Sequence, residues 1–167
     1  MWSKILKRFE GQPGKLAVVR LLIENGLSIR QGKIYCNELE ISKVTVARAV
    51  KVDRRTVAQT IEEIEGDPEL SVFFFHLRSA GHSLREVAHH LGFSVLEITP
   101  VNARMPGILA GASTLLAKRN LSIRQALVDD PELHPEPRLT LIVEGEIPGN
   151  LIPEILKVKG VARVSVY

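Results

Sequence analysis

The segment Val46-Ala47-Arg48-Ala49-Val50-Lys51-Val52-Asp53-Arg54-Arg55-Thr56-Val57 decides how the first half of the chain folds. Ser42 is a candidate N-cap for a short helix at the start of this segment, and Asp53 is a candidate N-cap for a second helix. Ala47 is small at the point where two such helices would cross, and Val57 opens the apolar stripe of the second helix. The segment therefore predicts two short helices joined by a tight turn.

Positive charge is concentrated around this predicted pair of helices. Between positions 42 and 61 a single anion, Asp53, accompanies five cations: Lys43, Arg48, Lys51, Arg54 and Arg55. A phosphate-binding surface requires such local clustering, although a solvated helix face would carry it equally well. The outward side chains of the second helix are predicted to be Arg54, Arg55, Thr56, Gln59 and Glu62. Arginine and glutamine can bind the edges of guanine and adenine, and threonine can bind a phosphate.

The same segment resembles the helix-turn-helix family at its core positions. This resemblance implies DNA binding, and the residues that would contact DNA are Lys43, Arg48, Lys51, Arg54, Arg55, Thr56 and Gln59. Family members often have glycine in the turn where Lys51 stands, so a left-handed backbone at that position would be strained. A helical pair that serves only packing or dimer contact is the alternative interpretation.

Flanking signals complete a mostly helical first domain, which we expect to cover residues 1–66. Apolar residues at helical spacing predict a helix over 13–25. Residues 27–41 then alternate between apolar and polar around Gln31-Gly32, which predicts a short hairpin and a candidate wing.

Two more helix signals lie between residues 67 and 93. Asp67-Pro68-Glu69 is a strong helix start, and the three phenylalanines that follow it are expected to pack in the core. Ser83-Leu84-Arg85-Glu86 has the pattern of a capping box, for a helix that Gly92 would end. We therefore expect residues 67–93 to form a helical connector.

Residues 94–167 show a different pattern, in the order strand, helix, strand, strand, helix, strand. The strands are expected at about 95–101, 121–128, 138–144 and 162–166, and the helices at about 107–119 and 150–158. This is the βαββαβ plan of a ferredoxin-like domain, with both helices on one face of the sheet. The other face needs a cover, which a second copy of the chain would supply. The predicted fold class of the whole chain is α+β.

This second half resembles the ACT domain family, regulatory modules that bind amino acids. The resemblance is carried by Pro106-Gly107-Ile108-Leu109 directly after the first strand, by Asn120-Leu121-Ser122-Ile123 at the second strand, and by the strand order. It implies that Gly107 lets the backbone approach a ligand and that the following helix N-terminus takes a carboxylate. The residues that would bind the ligand are Asn102, Arg104, Met105, Pro106, Gly107, Ile108 and Leu109, with Ser122 and Ile123 opposite them, either within the chain or across a dimer interface.

One position departs from the family pattern. Arg104 stands where many amino-acid-binding members have Asn or Asp, and the nearest asparagine is Asn102. Arg104 could bind a carboxylate directly, or its presence could mean that the pocket takes another ligand or none.

The whole chain also resembles archaeal proteins described as predicted regulators of amino acid metabolism. This resemblance implies an amino-acid-responsive transcriptional regulator, with DNA and a small amino-acid effector as partners and no cofactor. It also implies a homodimer or higher oligomer that assembles through the ACT domain. The alternative is a regulatory subunit that binds and modulates an amino-acid biosynthetic enzyme.

Composition and motifs exclude several other classes. Among 167 residues, 45% are apolar and 25% charged, which is typical of a soluble globular protein. No apolar run is long enough to span a membrane and no signal-peptide core is seen, so we expect a cytoplasmic protein without a membrane partner. The single cysteine, Cys36, excludes an intrachain disulfide. Because no catalytic motif or metal-ligand set is found, we expect no catalytic residue, no metal site and no enzyme.

Overall fold

In a computed structural model of the protein, which describes residues 2–167, both predicted N-caps are formed. The Ser42 hydroxyl accepts a hydrogen bond of 3.1 Å from the Thr45 N–H and begins helix α3 (Lys43–Ala49). The Asp53 carboxylate accepts one of 2.7 Å from the Arg55 N–H and begins helix α4 (Arg54–Glu65). The caps satisfy N–H groups that have no partner within a helix. The predicted pair of helices is thus confirmed.

The turn between these helices contains a left-handed lysine. Lys51 has a φ of 56°, and the next residue, Val52, donates its N–H to the Ala47 carbonyl at 3.0 Å. A left-handed backbone costs a residue with a Cβ roughly 1–2 kcal/mol. The strain that the sequence predicts at Lys51 is therefore present.

The chain divides into two compact units, the first ending at Gly81 and the second running from His82 to Tyr167. The predicted connector 67–93 is split by this division, because its helix belongs to the first unit and residues 82–93 belong to the second. Both units contain helices and an antiparallel sheet, so the mixed α+β class is confirmed.

The first unit combines five α-helices with a three-stranded sheet. Its remaining elements are α1 (Trp2–Arg8), α2 (Pro13–Glu24), β1 (Leu27–Arg30), β2 (Lys33–Cys36), β3 (Leu39–Ile41) and α5 (Pro68–His76). The hairpin around Gln31-Gly32 forms as predicted, and β3 extends it to an antiparallel sheet in the order β1-β2-β3. One apolar core joins these elements, with fully buried side chains that include Phe9, Leu22, Ile34, Ile61 and Phe74.

Helix α5 begins at the predicted Asp67-Pro68-Glu69 signal. The Asp67 carboxylate accepts hydrogen bonds from the N–H groups of Leu70, at 3.1 Å, and Glu69, at 3.0 Å. The Leu70 N–H is the largest cause of the lowered pKa of Asp67, and the Glu69 N–H adds to it. Of the three phenylalanines expected in the core, Phe74 is fully buried and Phe75 is 47% exposed.

The second unit has the predicted strand and helix order. Its elements are β4 (Phe93–Pro100), α6 (Ile108–Lys118), β5 (Ile123–Val128), β6 (Leu139–Glu144), α7 (Leu151–Leu156) and β7 (Val161–Val166). The strands pair antiparallel in the order β5-β6-β4-β7. Alternate residues of the central strands, such as Leu96 and Leu141, pack with Leu116 of α6 and Ile155 of α7 in one cluster. Both helices therefore cover the same face of the sheet.

The prediction of an α-helix over residues 83–91 is wrong. This segment forms two 3₁₀ turns, Arg85–Val87 and His89–Leu91. The Ser83 hydroxyl accepts from the Arg85 N–H, two residues on, instead of closing a capping box with Glu86. Tertiary contacts hold the segment in this form, because Gln125 accepts a 2.8 Å hydrogen bond from the Leu84 N–H.

The same segment covers part of the second face of the sheet, for which the sequence predicts a second copy of the chain as the cover. Ala88 is buried there against Val95 and Ile142. The carboxylate of Glu97, 6% exposed, lies on this face between Arg85 and Arg138.

Candidate nucleic-acid interface and ligand cavity

Helix α4 has one buried face and one polar face. Val57, Thr60, Ile61 and Ile64 are buried, and Arg54, Arg55, Gln59 and Glu62 are exposed. Arg54 and Arg55 lie in the first turn, at the positive end of the helix dipole, where cations are unfavourable. An anionic ligand at this end would relieve that repulsion.

The five cations of the cluster are free of ion pairs within the described chain. No Asp or Glu among residues 2–167 lies within 4.0 Å of the charged groups of Lys43, Arg48, Lys51, Arg54 or Arg55. Of these five, Lys43 is half-buried and the other four are exposed. These charges are therefore available to an external anion.

Thr56 is less accessible than the sequence suggests. It is half-buried, and its methyl group lies 3.5 Å from the position a Cβ would take on Gly14 of α2. The close approach of α2 therefore places Thr56 at the edge of the polar face, while Gln59 is fully on it.

The predicted wing lies at the other end of α4. At the tip of the hairpin, the Gly32 N–H donates a 2.8 Å hydrogen bond to the Glu65 carboxylate. Glu65 is eleven residues from Arg54, which is about 16 Å along a helix. The hairpin cations are also engaged, because Lys33 binds Glu40 at 2.9 Å and Arg30 lies 3.6 Å from Glu38. The hydrogen bond to Glu40 raises the pKa of the Lys33 ammonium.

A cavity of about 130 Å³ lies in the second unit, between the end of β4 and the N-terminus of α6. Four of the predicted ligand residues line it, together with the ends of two neighbouring strands: Met105, Gly107, Ile108, Leu109, Val128 and Leu139. The cavity is partly open to solvent and has room for several water molecules, so it fits a small molecule or part of a larger one. Sequence reasoning missed Val128 and Leu139, although the strand order brings both strand ends beside the Gly107 loop.

Other predicted ligand residues lie outside this cavity. Asn102 accepts a 2.9 Å hydrogen bond from the Arg104 N–H, and the Arg104 guanidinium pairs with Glu132 at 3.1 Å. Arg104 and Pro106 are exposed and do not line the cavity.

Ser122 and Ile123 lie at the opposite end of the sheet. Ile123 and Ser94 both pair with Val143, whereas Pro100 lines the cavity. Six residues of strand separate Ser94 from Pro100, which is about 20 Å. Within one chain, these two residues and the cavity do not form one site.

Gly160, which follows α7 in the chain, leaves free the space that two residues lining the cavity occupy. Gly160 has a φ of 94°, and a Cβ at this position would come within 2.5 Å of the Met105 sulfur and 3.2 Å of Ile108. The chain therefore needs glycine here both for its backbone and for the space that the two cavity residues fill.

The described residues contain neither a candidate metal centre nor a membrane-spanning helix. No group of three or more His, Cys, Asp or Glu side chains in residues 2–167 could hold a metal ion. No helix in the same range is long and apolar enough to cross a membrane.

Comparison with known proteins gave structural similarities only. No protein-family model and no curated protein matches the chain. The leucine response regulatory protein LrpA of Mycobacterium tuberculosis is 16% identical over 93% of this chain and 90% of that one, with a TM-score of 0.29. An AsnC family transcriptional regulator from Agrobacterium tumefaciens is 12% identical over 92% and 86%, with a TM-score of 0.30. The C-terminal domain of MgtC from M. tuberculosis is 18% identical over 45% and 83%, with a TM-score of 0.34.

Transcriptional regulators are thus among the solved structures that resemble this chain. Identities below 20% and TM-scores near 0.3 transfer no role to individual residues. The function is therefore argued from the geometry of the two sites.

Proposed function

We propose that this protein is an amino-acid-responsive transcriptional regulator, which binds DNA through α3, the turn and α4. The observation that supports DNA binding is the cluster of five cations without ion pairs, two of them at the positive end of α4. Cations in that position lower the stability of the helix slightly, so packing does not account for them. A nucleic-acid backbone supplies the missing anions.

The acidic side chains around this cluster leave it a net positive charge. Asp53, the N-cap of α4, is the single anion among the five cations of residues 42–61. Farther along the helix, Glu63 pairs with Lys15 of α2 and Glu65 binds the Gly32 N–H. Five cations against one carboxylate keep the N-terminal end of α4 positive. This arrangement fits a helix that docks on phosphates and reads bases with Arg55 and Gln59.

The second unit is proposed to sense a small amino acid in the cavity beside Gly107. The first N–H groups of α6 have no partner within the helix and can bind a carboxylate. Met105, Ile108 and Leu139 offer apolar contacts to a short side chain. A partly open cavity of about 130 Å³ would hold a small amino acid, and a larger one would extend out of it.

The sensor and the DNA-binding helices are proposed to act together in a homodimer that assembles through the ACT-like domain. A ligand that prefers one dimer arrangement shifts DNA affinity, and DNA must shift ligand affinity by the same factor. A two-fold dimer would need half-sites about 34 Å apart, which is one turn of DNA. Light scattering of the purified protein measures the oligomer, and a monomeric mass at micromolar concentration would remove this part of the proposal.

The DNA-binding part is tested by fluorescence anisotropy on duplex DNA at several salt concentrations. Arg54→Ala with Arg55→Ala should weaken binding tenfold or more, at about 100 mM salt, and reduce the salt slope by about 2 per protomer. The matched control, Lys157→Ala with Lys159→Ala, removes the same charge from exposed positions of the second unit, where neither lysine has an ion pair within residues 2–167. Equal effects of the two variants, or no binding of the natural sequence at about 50 mM salt, would exclude DNA binding at this surface.

The sensor part is tested by thermal shift with each of the twenty amino acids. A ligand that binds only the folded state raises the unfolding midpoint. Val128→Trp should abolish this shift without lowering the midpoint of the free protein, because Val128 lines the cavity yet is 64% exposed. If none of the twenty shifts the midpoint, the sensor part is wrong. Co-purification with a biosynthetic enzyme, without DNA binding, would favour a regulatory subunit instead.

A further inference from the structure

We propose that Glu62 ends the DNA-facing part of α4, because its carboxylate repels phosphates beyond the first two turns. This inference rests on the proposed DNA binding and specifies how the surface docks. It also assigns no DNA contact to the hairpin, which the sequence suggests as a wing.

The charge on the polar face of α4 changes from positive to negative along the helix. Arg55, Gln59 and Glu62 are exposed on successive turns of one face. The first two are donors suited to base edges, and the third is an anion. Glu62 forms no ion pair with any other residue in the range 2–167, so its charge is not neutralised within the described chain.

A carboxylate in this position limits how the helix can lie on DNA. Duplex DNA carries one negative charge per roughly 1.7 Å of its axis, so a helix lying along the groove would bring Glu62 close to phosphates. Arg55 is seven residues from Glu62, which is about 10 Å of helix and therefore about three base pairs at 3.4 Å each. The contacted core of each half-site is accordingly about three base pairs.

The contacts of the hairpin agree with this orientation. Its tip is bound to Glu65, beyond Glu62, at the end of α4 that points away from DNA. Arg30 and Lys33 lie beside Glu38, in the turn before β3, and Glu40, in β3, which lowers the net positive charge of the hairpin. The Glu62 carboxylate and the hairpin tip bound to Glu65 therefore both put the end of the DNA-contacting surface in the last turn of α4.

A base-reading role for Glu62 makes the opposite prediction. Glutamate can accept a hydrogen bond from the amino group of cytosine, in which case loss of the charge weakens binding to the preferred sequence. If Glu62 instead marks the boundary, loss of the charge strengthens binding to any duplex.

The experiment measures anisotropy of the full chain on a random-sequence duplex and on the tightest-binding genomic fragment. We expect Glu62→Gln to bind both about threefold tighter, and Glu62→Lys about tenfold tighter with a salt slope steeper by about 1 per protomer. Glu146→Gln removes the same charge from an exposed position of the second unit and should have no effect. Arg30→Ala with Lys33→Ala should change the affinity less than about twofold.

The outcomes separate this inference from the proposed function. Weaker binding of Glu62→Gln, unchanged binding of Glu62→Lys, or a hairpin variant as weak as the Arg54/Arg55 variant would overturn the docking orientation alone. Loss of the arginine effect overturns the proposed DNA binding and this inference with it. Thermal unfolding of each variant checks that the chain is folded, above all for Arg30→Ala, because Arg30 is half-buried whereas the other substituted side chains are exposed.

Discussion

The Arg85 guanidinium binds the Glu97 carboxylate at 2.6 Å. This ion pair lies on the face of the second unit's sheet that α6 and α7 leave uncovered. Glu97 is 6% exposed, and Arg138 approaches its other oxygen at 3.2 Å. The hydrogen bond to Glu97 raises the pKa of Arg85. A buried carboxylate needs such partners, since an unpaired one costs several kcal/mol.

We expect Arg85→Ala to lower the free energy of unfolding by roughly 1–3 kcal/mol, because Glu97 keeps only Arg138. The measurement is urea unfolding, with Lys118→Ala as a control at an exposed cation without an ion pair in the described chain. In a double-mutant cycle, the cost of Arg85→Ala should be much smaller in a Glu97→Gln background. Equal costs in the two backgrounds would show that Arg85 acts without Glu97.

Gly160→Ala should be more destabilising than Gly145→Ala. Both glycines have a positive φ, 94° and 79°, so both variants strain the backbone by about 1 kcal/mol. At Gly145 the added methyl meets open space, whereas at Gly160 it would lie 2.5 Å from the Met105 sulfur. Overpacking typically adds about 1–3 kcal/mol, so calorimetry should separate the two variants. Equal midpoints would mean that Met105 moves aside freely.

The Ser28 hydroxyl gives an opportunity to stabilise the first unit. Ser28 is fully buried, and its oxygen has no hydrogen-bond partner in the described part of the chain. An unsatisfied buried hydroxyl costs roughly 1–3 kcal/mol, so Ser28→Ala should raise the free energy of unfolding by about 1 kcal/mol. Urea unfolding measures this gain, and Ser122→Ala, at an exposed position, should be neutral. A loss of stability would argue that a water molecule binds Ser28.

The cap of α5 should make stability depend on pH in the acid range. The pKa of Asp67 is lower in the folded protein than its ordinary value of 3.8. The ionised cap therefore stabilises the protein above that value, and the contribution is lost as the pH falls through the lower folded pKa. Asp67→Asn keeps an acceptor but does not titrate, so its deficit against the natural sequence should shrink below about pH 4.

Trp2 provides the signal for this measurement, because the single tryptophan packs against the core of the first unit. Urea unfolding followed by its fluorescence, at intervals from pH 7 to pH 3, gives the deficit at each pH. A deficit that does not change with pH would show that the charge of Asp67 is irrelevant to the cap.

Local signals in the sequence predicted most of the secondary structure. Ser42, Asp53 and Asp67 each form the cap that their residue type and position indicate. The βαββαβ order of the second half follows from the alternation of two hydrophobic periods. Such features depend on neighbours within a few residues, so a single sequence contains them.

Features that depend on distant contacts were not predicted. Residues 83–91 match a capping box, but Gln125 and Glu97 hold them as 3₁₀ turns. Ser122 and Ile123 were grouped with the cavity from a resemblance, and strand pairing sets them about 20 Å away within one chain, which leaves only the arrangement across a dimer interface as a prediction. The ion pairs of Glu97 could have been expected, because a charged residue inside an otherwise apolar strand needs a partner of opposite charge.

The left-handed backbone at Lys51 sets the stability of the fold against the proposed DNA binding. Glycine would remove the strain of a Cβ at this φ, so Lys51→Gly should melt at a higher temperature. On the proposed DNA surface the same substitution removes a cation, which should lower the affinity for DNA. Selection for heat resistance alone would favour glycine at this position, so a lysine here has a cost in stability that an interaction of its charge would have to offset.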